Sequence, residues 1–309
     1  MRIFIPAIFT TLLTAQPLMA QNCPTLCDLN FWNSATVETV QTALDAGEDI
    51  NSVNAYGYPV FWSIMTQSTS AFLLYHPQGD VEAEQQRIDS VIMLMLDSGV
   101  DTATDEAVGT PYLHLAARNS SLAVVKRMLE GGAALGEVGH DQDTVLHYAA
   151  KGGNIETIEF LINAGIDIDV KNEDSETPLH ATTGSTLPHP TETTLWLIEH
   201  GADINAQSTP FYKTPIMSFF FWGGDKRVES SYTVLQAAMA AGYDITLSNN
   251  NGDNMLHYAT WVGRNPEIIA YLLEQGADIT VKNNDGKTAY DLALENIFVA
   301  DAEIVQALR

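Results

Sequence analysis

The chain has 309 residues and carries 39 Asp plus Glu against 14 Lys plus Arg, a formal net charge of −25. Phosphate binding needs clustered basic side chains, so this field excludes nucleic acid as the expected partner and favours a basic protein or peptide. The same acidity also keeps a protein from associating with itself, so charge alone does not name the partner.

Taken in order, Met1 to Ala20 holds one basic residue, Arg2, an apolar core from Ile3 to Leu13 and a small residue at Ala20. That is the pattern of a secretory signal peptide over residues 1–20, cut after Ala20. The apolar run is broken by Pro6 and Thr10 and is too short to cross a bilayer. Leu18 is larger than the alanine preferred near such a cut, and Asn22 before Cys23 does not suit lipid attachment. The expectation is an exported chain, periplasmic or secreted, without stable membrane insertion after cleavage; its charge becomes 13 minus 39, or −26.

Residues 21–33 form an N-terminal segment with the two cysteines of the chain, Cys23 and Cys27. In an exported protein so close a pair is expected to form a disulfide, stabilising by roughly 2 kcal/mol through loop closure. A redox-active pair lacks a strand–helix context here, and two thiols alone do not make a metal site. Asp28 to Ala46 reads as an end cap: Phe31 and Trp32 stand where an inner helix would be. Thr36 to Thr39 opens a helix with Val37, Val40, Ala43 and Leu44 inward.

Residues 66–86 read as a long insertion, with Tyr75-His76-Pro77-Gln78-Gly79-Asp80 a turn-rich loop by composition. Edge loops of this kind are tolerated by default; recognition is the alternative reading.

The stretch from Asp141 to Asn172 is one complete unit. Thr144 to Ala150 reads as a short inner helix. Ile155 to Asn163 reads as a second, with Ile155, Ile158, Leu161 and Ile162 on one side and Gly165 as its stop. Such a unit cannot bury its own apolar face and needs copies on either side. The stops recur at Gly47, Gly99, Gly132, Gly165, Gly201, Gly242 and Gly276. The openings recur at Tyr58, Thr110, Thr144, Thr177, Thr214, Asn254 and Thr288.

Thr177-Pro178-Leu179-His180 and Gly201-Ala202-Asp203-Ile204-Asn205 give the pattern its name: it resembles the ankyrin repeat. The resemblance implies an all-α ankyrin-repeat solenoid over residues 34–309. Its helix–turn–helix units are joined by β-hairpin-like finger loops, with about seven to eight repeats including atypical caps. It also implies that His114, His147, His180 and His257 hydrogen-bond to neighbouring backbone, tying repeats together. Repeats are spaced about 10 Å apart, so histidines of this column cannot share a metal with bonds of about 2 Å. The final unit has Asp291 where others have His, and Ile304, Val305 and Leu308 complete a last helix in what should be a polar C-terminal cap.

No catalytic residue, metal or cofactor is expected. His76, His140, His189 and His200 lack metal-ligand spacing. The chain has no G-x-S-x-G, no H-E-x-x-H and no phosphate loop, and Asn251-Gly252 and Asp285-Gly286 fall at finger turns without a full calcium ligand set.

The resemblance implies a protein-binding scaffold that uses its concave face. Aligned units put the fifth motif position on the exposed side of the inner helix, held by Trp62, Leu115, Tyr148 and Tyr258 among others. The eighth holds Met65, Arg118, Lys151, Phe221 and Trp261. Exposed aromatic and Arg side chains are the usual binding anchors. The bland alternative is that some of them pack against the adjacent finger. Phe219 and Phe220 replace alanine and are read as core, whereas Phe221 and Trp222 are candidates for an exposed patch. An immunity or inhibitor protein that holds a secreted effector inactive is the first alternative function, and an enzyme the remote one.

Overall fold

The computed structural model describes residues 23–66, 80–103, 109–184, 190–222, 228–300 and 303–309. The expected signal segment, His76 and His189 lie outside them, as do the side chains of Phe221 and Trp222. The described residues are mostly helical, and strand pairing among them is limited to three isolated antiparallel bridges: Val53 with Pro59, Val138 with Thr144, and Ser248 with Asn254. By compactness the chain divides into two units, Met1–Ala133 and Ala134–Arg309.

In the first unit, the carboxylate of Glu48 accepts the amides of Thr25 (3.1 Å) and Leu26 (2.8 Å), and the buried Trp32 indole donates to the Leu26 carbonyl at 2.9 Å. These bonds clamp the N-terminal segment onto the exit of the first repeat. Cys23 and Cys27 lie 5.5 Å apart at Cα, a span that suits a disulfide. Helix α1, Val37–Asp45, starts with a capping box made by Thr36 and Thr39. It buries Val40 and Ala43, but Val37, expected inward, is 42% exposed. At about 100° per residue Val37 points about 120° away from Ala43, off the buried stripe.

Inner helix α2, Val60–Met65, packs on α3, Val81–Asp97. Residues 81–86, expected to be loop, are the first turns of α3. Asp80 caps them by accepting the Ala83 amide at 3.0 Å, Glu82 and Glu84 favour the helix N-terminus, and the segment is rich in helix formers. The extra length reaches the next repeat. Gln85 donates to the carbonyl of Asn119 at 2.9 Å and Asp89 accepts the amide of Ser121 at 3.0 Å, across the turn between α4, Tyr112–Asn119, and α5, Leu122–Glu130.

In the second unit the inner helices α6 (Val145–Gly152), α8 (Pro178–Ala181), α10 (Pro215–Trp222), α12 (Met255–Trp261) and α14 (Ala289–Glu295) pack in series. The outer helices α7 (Ile155–Asn163), α9 (Pro190–Glu199), α11 (Val228–Ala240) and α13 (Pro266–Glu274) each rest on the inner helix before them. Phe219 and Phe220 are buried, as expected for core substitutes of alanine, and α11 has 13 residues where α7 has 9. The last segment, Glu303–Leu308, is a 3-10 turn rather than an α-helix and buries Val305 and Leu308. The end is not purely polar: Leu294, Ile297 and Phe298 are exposed, with the Arg264 guanidinium 4.1 Å from the Phe298 ring centre.

The chain reverses after α7 through Gly165, at φ +100°, which lets the Ile166 amide reach back to the Leu161 carbonyl at 3.2 Å. Nothing stands within 4 Å of a Cβ built there, so a side chain at Gly165 meets strain and no clash. Gly165→Val should therefore destabilise by about 1 to 2 kcal/mol. Gly136→Ala, which also meets open space but at ordinary φ, should be neutral or slightly stabilising. Urea unfolding of the two variants checks the placement, and equal stability would refute it.

Candidate protein-binding surface

In the second unit, inner helices α6 and α8 are fastened at their N-termini by a threonine–histidine box, and α12 by an asparagine–histidine one. In α6 the Thr144 amide donates to Nδ1 of His147, so the ring proton sits on Nε2, which donates 3.0 Å to the Glu176 carbonyl in the following finger. His180 repeats this between the Thr177 amide and the Lys213 carbonyl, and His257 between Asn254 and the Lys287 carbonyl. The ties expected of His147, His180 and His257 are present, and His114 is fully buried. Asp291 fills the same box at the end, where its Oδ2 accepts the Thr288 amide and hydroxyl. Where Met217 replaces histidine, the hydroxyl of buried Tyr243 meets Thr214 instead, 3.0 Å away.

The fingers are built from side-chain turns. Asn172 Oδ1 accepts the amides of Asp174 and Glu176, while its Nδ2 donates to Asp143 in the finger before at 2.8 Å. Asn283 does the same, with Nδ2 on Asp253 at 2.7 Å.

These fingers decide where the expected contact residues lie. Tyr148 is 8% exposed and packs on Gly139, where an added Cβ would come within 3.1 Å of its hydroxyl. Tyr258 is 1% exposed, with its hydroxyl accepting from Asn249 Nδ2 at 3.0 Å. Leu115 and Met65 are buried as well. For these four the expected exposure is corrected: the fifth position faces the base of its own finger, and Met65 closes a six-residue helix against the core.

Position eight then lies over the tyrosine. Lys151 Nζ sits 5.4 Å from the Tyr148 ring centre and pairs with buried Asp143, and Trp261 meets Tyr258 edge-on at 6.4 Å. Trp261 is 46% exposed and Arg118 is exposed, while Trp62 is half-buried and stacked on Tyr58 at 4.6 Å. Arg118 belongs to the first unit and Trp261 to the second.

Residues not anticipated from the sequence stand at the finger tips. Tyr56 is 74% exposed, Phe211 55% and Tyr212 50%. The available signal was a break in pattern: Asn250-Asn251-Gly252 and Asn284-Asp285-Gly286 are ordinary turn sequences, and Pro210-Phe211-Tyr212 is not. Among the described residues no three His, Cys, Asp or Glu side chains form a group able to hold a metal ion. His140 is exposed, and His200 stacks on Trp196 at 3.7 Å.

Residues 113–208 match a family model described as ankyrin repeats (3 copies), and residues 239–293 one described as ankyrin repeats (many copies). These segments are ankyrin repeats. A homologue of the transient receptor potential cation channel subfamily A member 1 from Caenorhabditis elegans is 33% identical over 104 residues, 34% of this chain and 8% of the relative. Alpha-latroinsectotoxin-Lt1a from Latrodectus tredecimguttatus is 40% identical over 48 residues, 16% of this chain and 3% of the toxin. The chain thus spans a small part of the length of these relatives.

Among solved structures, the ankyrin repeat domain of Bcl-3 superposes with a TM-score of 0.52 at 20% identity, over 78% of this chain and 99% of that one. A chain of the Bdellovibrio bacteriovorus complex between the predatory endopeptidase Bd0816 and the immunity protein Bd3460 gives 0.50 at 27% identity, covering 63% and 95%. The ankyrin array is a protein-interaction fold, and no catalytic family is indicated.

The box makes the ankyrin array sensitive to acid. Burial lowers the pKa values of His147 and His257, and lowers His180 from 6.5 to about 4. The unfolded chain therefore binds more protons between those values. The His180 contribution is complete above pH 6.5 and is lost as pH falls toward 4, about 3 kcal/mol in all. Glu176, whose pKa burial raises, works in the opposite direction at acid pH, so the comparison must be with a variant. The stability difference between the parent and His180→Gln should narrow as pH falls from 6.5 to 4.5. Urea unfolding across that range checks it, and a constant difference would refute the tie.

Proposed function

We propose that the protein is a non-catalytic scaffold of an exported compartment, periplasmic or secreted, whose ankyrin repeats hold a partner protein, one with a basic contact surface. The single observation that carries the reading is Trp261: a large aromatic side chain left 46% exposed on an inner helix whose other side chains are buried. Core packing does not account for it, and an exposed tryptophan is a common binding anchor. Arg118 plays the corresponding part on α4. The pattern of residues 1–20 supports export, and Cys23 and Cys27 then form a disulfide that fastens the segment held by Glu48.

A second reading within the same class is an immunity or inhibitor protein that keeps a secreted enzyme inactive. The likeness to a chain of the endopeptidase–immunity protein complex favours it. Stoichiometric capture of an enzyme with loss of its activity distinguishes an inhibitor from a scaffold.

The test begins with affinity capture from the exported fraction and mass spectrometry of what is retained. With that partner, Trp261→Ala and Arg118→Ala should weaken binding about tenfold or more while unfolding within about 0.5 kcal/mol of the parent. Tyr258→Ala should instead lose about 3 kcal/mol of stability. Undiminished binding by both exposed-residue variants would sink this surface. Intact mass of the natively exported protein should show a chain beginning near Gln21 without free thiols, and an uncleaved or fully reduced chain would overturn the export reading.

A further inference from the structure

The finger tips of the second unit form a row joined by backbone. The Glu173 amide donates to the Asp141 carbonyl at 2.8 Å, Thr209 to Asp174 at 2.6 Å, Asn250 to Phe211 at 3.0 Å, and Asn284 to Asn251 at 2.8 Å. Pro210-Phe211-Tyr212 is the middle tip of this row. On one side stand the exposed carboxylates of Asp141, Glu173 and Asp174, and on the other Asn250, Asn251 and Asp285.

Positive charge is sparse along the row, and one cation stands at its centre. Lys213 Nζ lies over the Phe211 ring, 5.6 Å from its centre, Lys287 pairs with Glu295 at 2.7 Å, and Lys171 stands below its tip at the foot of the finger. The row is therefore an aromatic centre, with the Lys213 cation over one ring, flanked on one side by three exposed carboxylates and on the other by Asn250, Asn251 and Asp285.

The centre is rigid. The Tyr212 amide donates to the Ser208 carbonyl at 2.7 Å, and Gln207 Nε2 donates to both the Tyr212 and Ser248 carbonyls, at 2.9 and 3.0 Å. Tyr212 sits at φ +52°, in the left-handed region that Gly252 and Gly286 occupy at the tips of the next two fingers. A tyrosine there carries backbone strain that glycine would not, and gains no burial in exchange. An exposed aromatic pair on a backbone fixed by these bonds loses little backbone freedom on contact, a property of a binding anchor.

We propose that the Phe211–Tyr212 tip and its flanking carboxylates form a docking surface for a basic protein segment that presents an apolar side chain between lysines or arginines. The apolar side chain packs on the two rings, and the cations lie along Asp141, Glu173 and Asp174. This rests on the protein-binding reading above but concerns the finger tips of the second unit rather than Trp261.

A random-peptide phage library selected on the full chain tests it. Enriched sequences should place an aromatic or leucine side chain among Lys and Arg. Their synthetic peptides should lose affinity about tenfold or more for Phe211→Ala and for Tyr212→Gly. Glu173→Gln/Asp174→Asn should weaken them several-fold, with less effect at high salt. Tyr212→Gly relieves the strained φ, so its urea midpoint should be equal or higher, which separates lost contact from lost fold. Enrichment of acidic or uncharged sequences, or peptides that bind both tip variants as they bind the parent, overturns the proposal. Peptides that fail on Trp261→Ala but not on the tip variants overturn it too, and leave the scaffold reading standing.

Discussion

Everything in the second unit depends on a buried carbonyl being met. The residue before the cap of three inner helices, Glu176, Lys213 or Lys287, turns its carbonyl toward the repeat before it, at a half-buried place. An unpaired buried carbonyl costs about 1 to 3 kcal/mol, enough to separate neighbours. The imidazole of the preceding repeat meets it from Nε2, and only the neutral ring can at the same time accept at Nδ1. The threonine amide enforces this by occupying Nδ1. One side chain thus closes its own helix N-terminus and fastens the next finger, and the stacking of inner helices follows from that register.

The exits and fingers extend the same economy of short polar side chains. After every stop glycine but Gly132 an aspartate folds back on the amide two residues later, as Asp167 does with Asp169 and Asp203 with Asn205. The residue two further on then accepts the backbone of the next exit. Asp169 takes the Asp203 amide at 2.8 Å, Asn205 that of Asp244 at 2.8 Å, and in the first unit Asn51 that of Asp101 at 2.7 Å. The exit after Gly132 has Ala134 and Gly136 at these two places, and the division into compact units falls at Ala133. Part of the chain's acidity is therefore structural. Asp101, Asp167, Asp203, Asp244 and Asp278 are turn residues first, and their negative field is a by-product that a partner then meets.

Legibility from sequence followed repetition. Stop glycines, threonine–histidine boxes and buried helix faces were readable because each is stated many times in one register, so the copies correct one another. What was misread depends on a single copy. Helix α3 begins where Asp80 happens to cap it, which a loop-like composition hides. Tyr148 and Tyr258 align with positions that regular repeats leave open, yet both are covered. Whether a tyrosine there is buried depends on what its own finger offers, Gly139 as space in one case and the Asn249 amide in the other. Trp261, three residues on, remains outside because the tyrosine already fills the gap.

The same logic locates recognition. A side chain repeated in register is explained by stacking, since every repeat must meet the same neighbours. A side chain that departs from the register and stays exposed has no such explanation. Phe211 and Tyr212 depart from the Asn, Asp and Gly of the neighbouring tips, and Tyr212 does so against the preference of its own backbone. The polar tips need no partner because turn chemistry accounts for each of their residues. In the docking we propose, a partner outside the chain accounts for the aromatic tip, and the carboxylates beside it set the sign of that partner's charge.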